Sequence, residues 1–132
     1  MNEIKEAYVS FEVAKLLKEK GFNEPCLSYF WGEENNKEIS YTDFPFTNKQ
    51  LYSDQILRPT HQMACAWLRK VHNIFIIIEP HMYDYINERN ASCVASLWQG
   101  DNYYENILSK DYPTYEDTVE AAIKYSLENL IK

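Results

Sequence analysis

Three side chains able to bind a metal lie on one predicted helix, which begins at Thr60 and ends before Asn73. His61 and Cys65 are four residues apart, so both side chains fall on the same face of the helix. A tetrahedral zinc site needs three or four ligands, but His72 lies about 10 Å beyond Cys65 at ~1.5 Å per residue. One helix therefore does not bring all three residues to one ion, and no spacing elsewhere requires a further ligand. We interpret them as border residues of a packed helix and assign no metal and no cofactor.

A second set of reactive side chains brackets the apolar segment that follows this helix. His72 precedes the segment, while Glu79 and His81 follow it. At the ends of a buried strand these groups could act as general acid and base in a pocket, although polar residues also bound strands because the chain returns to water there. None of the GxSxG, HExxH, GxGxxG or P-loop motifs occurs. A small enzyme or small-molecule binder is therefore the second hypothesis, and no catalytic residue is assigned.

The aromatic residues indicate a different class of function, which is contact with another protein. The chain has 11 tyrosines and 3 tryptophans, and these side chains are favoured at interfaces because they are large, rigid and half polar. They are also common in ordinary strands. We predict a binding face on a β-sheet, with the tyrosine-rich connections at Tyr52 and Tyr83–Tyr85 as the alternative. The four residues predicted to form the face are Tyr29, Trp31, Trp98 and Tyr103.

Helical periodicity and capping residues predict three helices. Their N-caps are Ser10, Thr60 and Thr114, and their predicted spans are 11–20, 61–72 and 115–131. Gly21 is placed to end the first helix in the left-handed conformation, with Phe22 in contact with Leu17. The core face of the second helix is predicted to include Met63 and Val71, and that of the third helix to include Tyr115.

Alternating apolar residues, one β-branched apolar run and the turn residues between them predict five strands. They are Cys26–Trp31 with Glu38–Thr42 as one hairpin, Ile74–Ile78, and Ser92–Gln99 with Tyr103–Leu108 as a second hairpin. Pro80 is expected to stop the third strand, and residues 43–56 are interpreted as a loop, with one helical turn after Thr47 as an option. The order α-β-β-α-β-β-β-α predicts an α+β fold. In it an antiparallel or mixed sheet of about five strands carries helices mainly on one face.

Length, charge and cysteine content limit the class of protein. A chain of 132 residues fits one domain, residues 1–132, and buries enough surface to fold without metal or disulfides. The three cysteines have no CxxC spacing, which favours the reducing cytoplasm, and no segment approaches the ~18 apolar residues of a membrane span. The formal charge is −7, and residues 73–132 hold four Lys or Arg against ten Asp or Glu. This acidity argues against a nucleic-acid partner, because such surfaces neutralise phosphates with clustered Lys and Arg.

The segment around the second helix also resembles a known family. Small proteins of phages and gut-bacterial mobile elements carry the motif P-T-x-x-x-A-x-x-W-L-R-x-x-H followed by an apolar strand. The matching residues here are Pro59, Thr60, Ala64, Trp67, Leu68, Arg69 and His72. The segments 8–26 and 112–132 resemble the first and last helices of the family, so the resemblance covers most of the chain. It implies the same element order and a phage or bacterial origin, and it implies no activity, because none is assigned to that family.

The strand Ile74–Ile78 provides the main clue to function. It is apolar on both of its faces, so if the helices cover one side of the sheet, loops or another chain must cover the other. The first hypothesis is therefore a non-enzymatic accessory protein that binds a protein partner or forms a homodimer through an aromatic sheet face.

Overall fold

The computed structural model describes residues 4–33, 35–85 and 88–131, with the backbone alone at 81–85 and 88–91. The chain divides into two compact units, one ending at Trp67 and the other running from Leu68 to Ile131, and the division falls within a helix. The single-domain organisation of residues 1–132 stays a prediction. The helices are α1 (Phe11–Glu19), α2 (His61–His72) and α3 (Tyr115–Asn129). The strands are β1 (Cys26–Trp31), β2 (Glu38–Phe46), β3 (Gln55–Leu57), β4 (Ile74–Tyr85), β5 (Glu88–Gln99) and β6 (Asn102–Tyr104).

All three helices begin at the predicted capping residues. In each case the cap hydroxyl accepts a hydrogen bond from the amide three residues further on, which satisfies a donor that has no partner within the helix. The donor to acceptor distances are 3.2 Å for Val13 to Ser10, 3.1 Å for Met63 to Thr60 and 3.0 Å for Asp117 to Thr114. The starts of the helices are therefore specified by local sequence.

The end of α1 confirms the predicted motif. Gly21 has φ +95°, and its N–H donates to the carbonyl of Lys18 at 3.1 Å. The N–H of Phe22 reaches back to the carbonyl of Leu17 at 2.9 Å, and both of these side chains are buried. This pattern is a Schellman motif, in which the hydrophobic pair seals the helix end.

The α+β class is confirmed, but the expectation of one sheet of about five strands needs correction. The described strands form two three-stranded antiparallel sheets, in the orders β2-β1-β3 and β4-β5-β6. The additional strand, β3, lies in the segment interpreted as a loop, after a 3-10 turn at Asn48–Gln50. A three-residue strand is too short to show a period of two. Its position depends instead on antiparallel pairing with the distant strand β1 and on the Asn48 side chain, which accepts from the Leu57 amide at 3.1 Å.

Pro80 does not stop β4, contrary to the sequence-based expectation. It pairs with Cys93, whose N–H and carbonyl bond instead to Tyr112 at 2.8 and 3.2 Å on the other side of β5. Neighbouring residues of a strand direct their backbone groups to opposite sides, so Pro80 occupies a pair without hydrogen bonds, and its ring nitrogen faces the outer edge of the sheet. Proline removes no ladder hydrogen bond there, which is why edge strands tolerate it.

The core of the second unit lies between α3 and the sheet that contains β4 and β5. Its buried apolar side chains include Val119, Ala122, Ile123 and Leu127 of α3 and Ile74, Ala95 and Leu97 of the two strands. Three residues assigned to helix core faces are exposed instead: Met63 by 37%, Val71 by 56% and Tyr115 by 58%. The buried position near the start of α3 is Thr118, whose hydroxyl donates to the Thr114 carbonyl at 2.7 Å.

Candidate functional site

Two of the predicted binding residues, Trp98 and Tyr103, lie together. They are opposite each other on β5 and β6, with ring centroids 5.0 Å apart. Phe75 of β4 is opposite Trp98 on the other side, so each strand of this sheet contributes one ring to a continuous row. We call Phe75, Trp98 and Tyr103 the aromatic row. The exposed fractions of the three side chains are 45%, 42% and 46%, respectively.

The exposure of the aromatic row follows from the pleat of the sheet. Successive side chains of a strand point to opposite faces, and Ile74 and Leu97, the neighbours of Phe75 and Trp98, are fully buried. Helix α3 packs on that buried side. Phe75 was assigned to a buried strand by its sequence context. No local signal in the apolar run 74–78 shows that Phe75 is exposed while Ile74 is buried and Ile76, Ile77 and Ile78 are half-buried.

Acidic side chains flank the aromatic row. Glu79 is on the same face of β4 as Phe75, four residues along the strand, and it is exposed. Asp101 and Glu105, on either side of β6, are exposed as well. The whole unit 68–131 holds five Lys or Arg and ten Asp or Glu, a formal charge of −5. The surface around the three rings therefore has a negative electrostatic character.

The other two predicted binding residues, Tyr29 and Trp31, lie in the other sheet. On β1 they alternate with the buried side chains of Ser28 and Phe30, and Trp31 is 41% exposed. The four predicted residues therefore form two pairs on two sheets, which corrects the expectation of one aromatic face. Period-two alternation identifies the face of a strand, but it does not identify which strands are neighbours.

The proposed acid and base residues are not brought together by the structure. His72 ends α2, and burial lowers the pKa of its side chain. Glu79 lies five residues past Ile74 on an extended strand, which is roughly 17 Å at ~3.3 Å per residue. The side chain of His81 is outside the described residues. His72 and Glu79 therefore do not share a pocket at one end of the strand.

No metal centre is found in the described part of the chain. Among those residues, no three side chains of His, Cys, Asp or Glu are grouped so that they could hold one ion. Within the same residues, none of the helices combines the length and apolar character needed to cross a bilayer.

A cluster of side chains that sequence reasoning missed surrounds Arg58, directly after β3. The guanidinium carbon lies 3.8 Å from the centroid of the Tyr8 ring, which is close enough for stacking. Its Nη1 donates to the Ser28 hydroxyl at 3.2 Å and to the Tyr41 hydroxyl at 3.1 Å. The ring of Phe30 lies 5.7 Å from the same carbon. Tyr8, Phe30, Tyr41 and Arg58 are distant in sequence, so no local pattern predicts their meeting.

Arg58 also lines a cavity of about 570 Å³ in the first unit. The walls are mainly apolar and include Tyr8, Leu27, Pro45 and Met63, and Asp43 is the second charged residue of the lining. This volume is within the range of ~300–1,000 Å³ that is usual for small-molecule sites.

The chain was compared with family models, curated proteins and solved structures. None of them matches. The function must therefore be inferred from the aromatic row and the Arg58 cavity themselves.

Cys26, another residue of the cavity lining, is expected to be the slowest of the three cysteines to react with iodoacetamide at pH 8. Burial and the nearby Glu24 carboxylate raise the pKa of its thiol to about 11, and the thiol donates to the Glu24 carbonyl at 3.4 Å. Only about one molecule in a thousand then carries the reactive thiolate at pH 8. Mass spectrometry of time-resolved alkylation measures the order of labelling. Labelling of Cys26 before Cys65 and Cys93 would contradict this assignment.

The raised pKa of the Cys26 thiol also makes the stability of the protein depend on pH. Because this pKa is higher in the folded state than in the unfolded state, folding favours the protonated thiol. The contribution of Cys26 to the free energy of unfolding is therefore fully present below the unfolded pKa of ~8.5 and is lost as the pH rises through 11. Replacing Cys26 by serine should remove this part of the alkaline loss of stability.

Proposed function

We propose that this chain is a non-enzymatic accessory protein that binds another protein through the aromatic row. The observation that supports the proposal is the arrangement of Phe75, Trp98 and Tyr103 in one row across three strands, each ring more than two-fifths exposed. Aromatic side chains in such positions supply large contact areas at a low cost in conformational entropy. The resemblance to proteins of phages and mobile elements supports a phage or bacterial origin. The three cysteine thiols support a location in the cytoplasm.

The charges around the aromatic row favour a basic partner over a second copy of the chain. In a symmetric homodimer formed through this face, Glu79, Asp101 and Glu105 would approach the same carboxylates of the other copy, and like charges at a contact cost binding energy. A segment that presents Lys or Arg beside apolar side chains would place cations against these acids and apolar groups on the rings. We therefore propose a basic, apolar peptide segment of another protein as the occupant.

The size of the aromatic row fits the centre of such a contact. Full burial of an aromatic side chain covers roughly 150–250 Å², so three rings with under half of their surface exposed offer on the order of 250 Å². A standard interface buries about 800 Å² on each partner. The row therefore acts as the energetic centre, and neighbouring side chains such as Ile77 and Glu79 complete the contact.

Trp98→Ala is expected to weaken binding of the partner peptide roughly 30-fold, as is usual for an aromatic residue at the centre of an interface. A random peptide library displayed on phage is selected against the wild-type chain, and the enriched peptides are synthesised. Their affinities for both proteins are measured by isothermal titration calorimetry. The enriched sequences should combine Lys or Arg with apolar residues, and their affinity should fall at high salt.

Trp31→Ala is the matched control, because Trp31 is 41% exposed against 42% for Trp98 but lies in the other sheet. This variant should bind the peptides as well as the wild type does. Peptides that lose affinity for Trp31→Ala and keep it for Trp98→Ala would refute the proposed surface. Light scattering over a concentration series gives a separate test. A dimer that forms in the wild type and is absent in Trp98→Ala would show that the aromatic row binds a second copy of the chain and not a basic peptide.

A further inference from the structure

The cluster around Arg58 is built to hold a guanidinium group in one orientation. Ser28 is 3% exposed, and its hydroxyl donates to the Ser40 carbonyl at 3.1 Å, so the oxygen lone pairs are left to accept from Arg58. Tyr41 supplies the second acceptor, and the Tyr8 ring lies against the plane of the group. Arg58 is also fixed through its backbone, since its N–H donates to the Ser28 carbonyl at 2.9 Å. Such support from several elements is what an orienting site requires.

These contacts occupy only part of the guanidinium. The two N–H groups of Nη1 are used by Ser28 and Tyr41. The guanidinium has five N–H donors in total, and no described residue accepts from Nε or Nη2. One N–H of Nη2 together with that of Nε forms a planar fork that matches the two oxygens of a carboxylate. Arg58 is held by stacking and by the hydrogen bonds of Nη1, so the Nε and Nη2 edge is left to bind a carboxylate with two hydrogen bonds.

From this geometry we infer that the Arg58 cavity binds a small organic carboxylate with an apolar tail. The carboxylate pairs with the free fork of Arg58, and the tail lies against the apolar walls formed by Leu27, Pro45 and Met63. Asp43, in the same lining, disfavours ligands with a second negative charge. The inference is independent of the proposed protein partner, because it concerns the first unit and different side chains.

Hexanoate is a suitable probe, since it combines one carboxylate with a short alkyl chain. Titration is followed by the Nε–H signal of Arg58 and the methyl signal of Met63 in two-dimensional NMR spectra. Both signals should shift and saturate at concentrations on the order of millimolar, as is usual for so small a ligand. Acetate should bind more weakly because it lacks the tail, and hexanamide should shift neither signal by a comparable amount because it lacks the charge.

Two substitutions at Met63 test the cavity without disturbing the start of α2. Met63 occupies the third helical position of α2 behind the Thr60 cap, where Glu and Gln both complete a capping box. Met63→Glu places a negative charge in the cavity wall and should weaken hexanoate binding at least about tenfold. Met63→Gln has a similar size without the charge, so its loss should be much smaller. Arg69→Gln removes an exposed arginine of α2 outside the lining and should leave the hexanoate affinity unchanged.

Arg58→Gln should abolish the hexanoate-dependent shift of Met63, with folding checked by the rest of the spectrum. The inference is overturned if the Arg58 and Met63 signals do not saturate with hexanoate in the wild type. It is also overturned if hexanamide binds as well as hexanoate, or if Met63→Glu and Met63→Gln bind hexanoate equally. If the Arg58→Gln spectrum indicates unfolding, the comparison of the two Met63 variants decides the question.

Discussion

Phe22→Ala is expected to lower the free energy of unfolding by about 3–5 kcal/mol, which is the usual range for a phenylalanine removed from a core. The Phe22 side chain is 1% exposed, and its ring centroid lies 5.4 Å from that of Trp67 at an interplanar angle of 72°. The same side chain closes the end of α1 against Leu17. The substitution therefore creates a cavity, removes an edge-to-face aromatic contact and opens a helix end at once.

Urea denaturation followed by circular dichroism measures this loss. Phe44→Ala is the matched control, because Phe44 is 74% exposed and its truncation should change stability by no more than about 0.5 kcal/mol. Phe22→Leu keeps an apolar side chain at the site and should be clearly less destabilising than the alanine variant. A loss below about 1 kcal/mol for Phe22→Ala would mean that the packing around α1 differs from that described.

Gly32→Ala is expected to cost about 2–4 kcal/mol, for two reasons that act together. Gly32 follows β1 with φ +98°, a conformation that L-residues adopt only under strain. A Cβ atom added here would lie 2.6 Å from the carbonyl oxygen of Asn36, so the backbone of the β1–β2 connection would have to move. Gly32 also donates to the Asp54 carbonyl at 3.1 Å, which ties this connection to the segment before β3.

Gly21→Ala separates the two contributions. Gly21 has nearly the same backbone conformation, with φ +95°, but no atom lies within 4 Å of an added Cβ. Its substitution should therefore cost only the conformational strain, about 1 kcal/mol. The difference between the two alanine variants in chemical denaturation reports the steric contact in the β1–β2 connection. Equal losses would show that the connection adapts to the side chain without cost.

The parts of the fold that are predictable from sequence depend on interactions between residues close in the chain. The N-caps Ser10, Thr60 and Thr114 each act on an amide three residues away, and the end of α1 is decided by Gly21 and its immediate neighbours. Such contacts involve little chain entropy and are much the same in any fold. This is why the helix starts were predicted at the observed residues. In the first hairpin β1 has its predicted bounds, but β2 continues to Phe46, past its predicted end at Thr42.

The candidate sites depend on contacts that local patterns do not contain. Trp98 and Tyr103 were predicted as aromatic residues of strands, which are favoured at interfaces. That they face each other, and that Phe75 lies beside them, follows from the pairing of β5 with β6 and of β4 with β5. The predicted end of β4 at Pro80 was wrong for a related reason. A proline can continue a strand when that strand lies at the edge of a sheet. The position of a strand in its sheet is a tertiary property.

By itself, the sequence determined the α+β class, the capped helices and the presence of surplus aromatic residues. Only the tertiary structure decided that these aromatics divide between two sheets, that one row of three rings is exposed, and that Arg58 meets Tyr8, Ser28 and Tyr41 beside a cavity. The physical reason is that helix ends are stabilised within a few residues. The order of strands in a sheet and the fixed position of the Arg58 guanidinium depend on contacts between segments that are tens of residues apart in the chain. The free energy that stabilises such contacts comes from burial of the core.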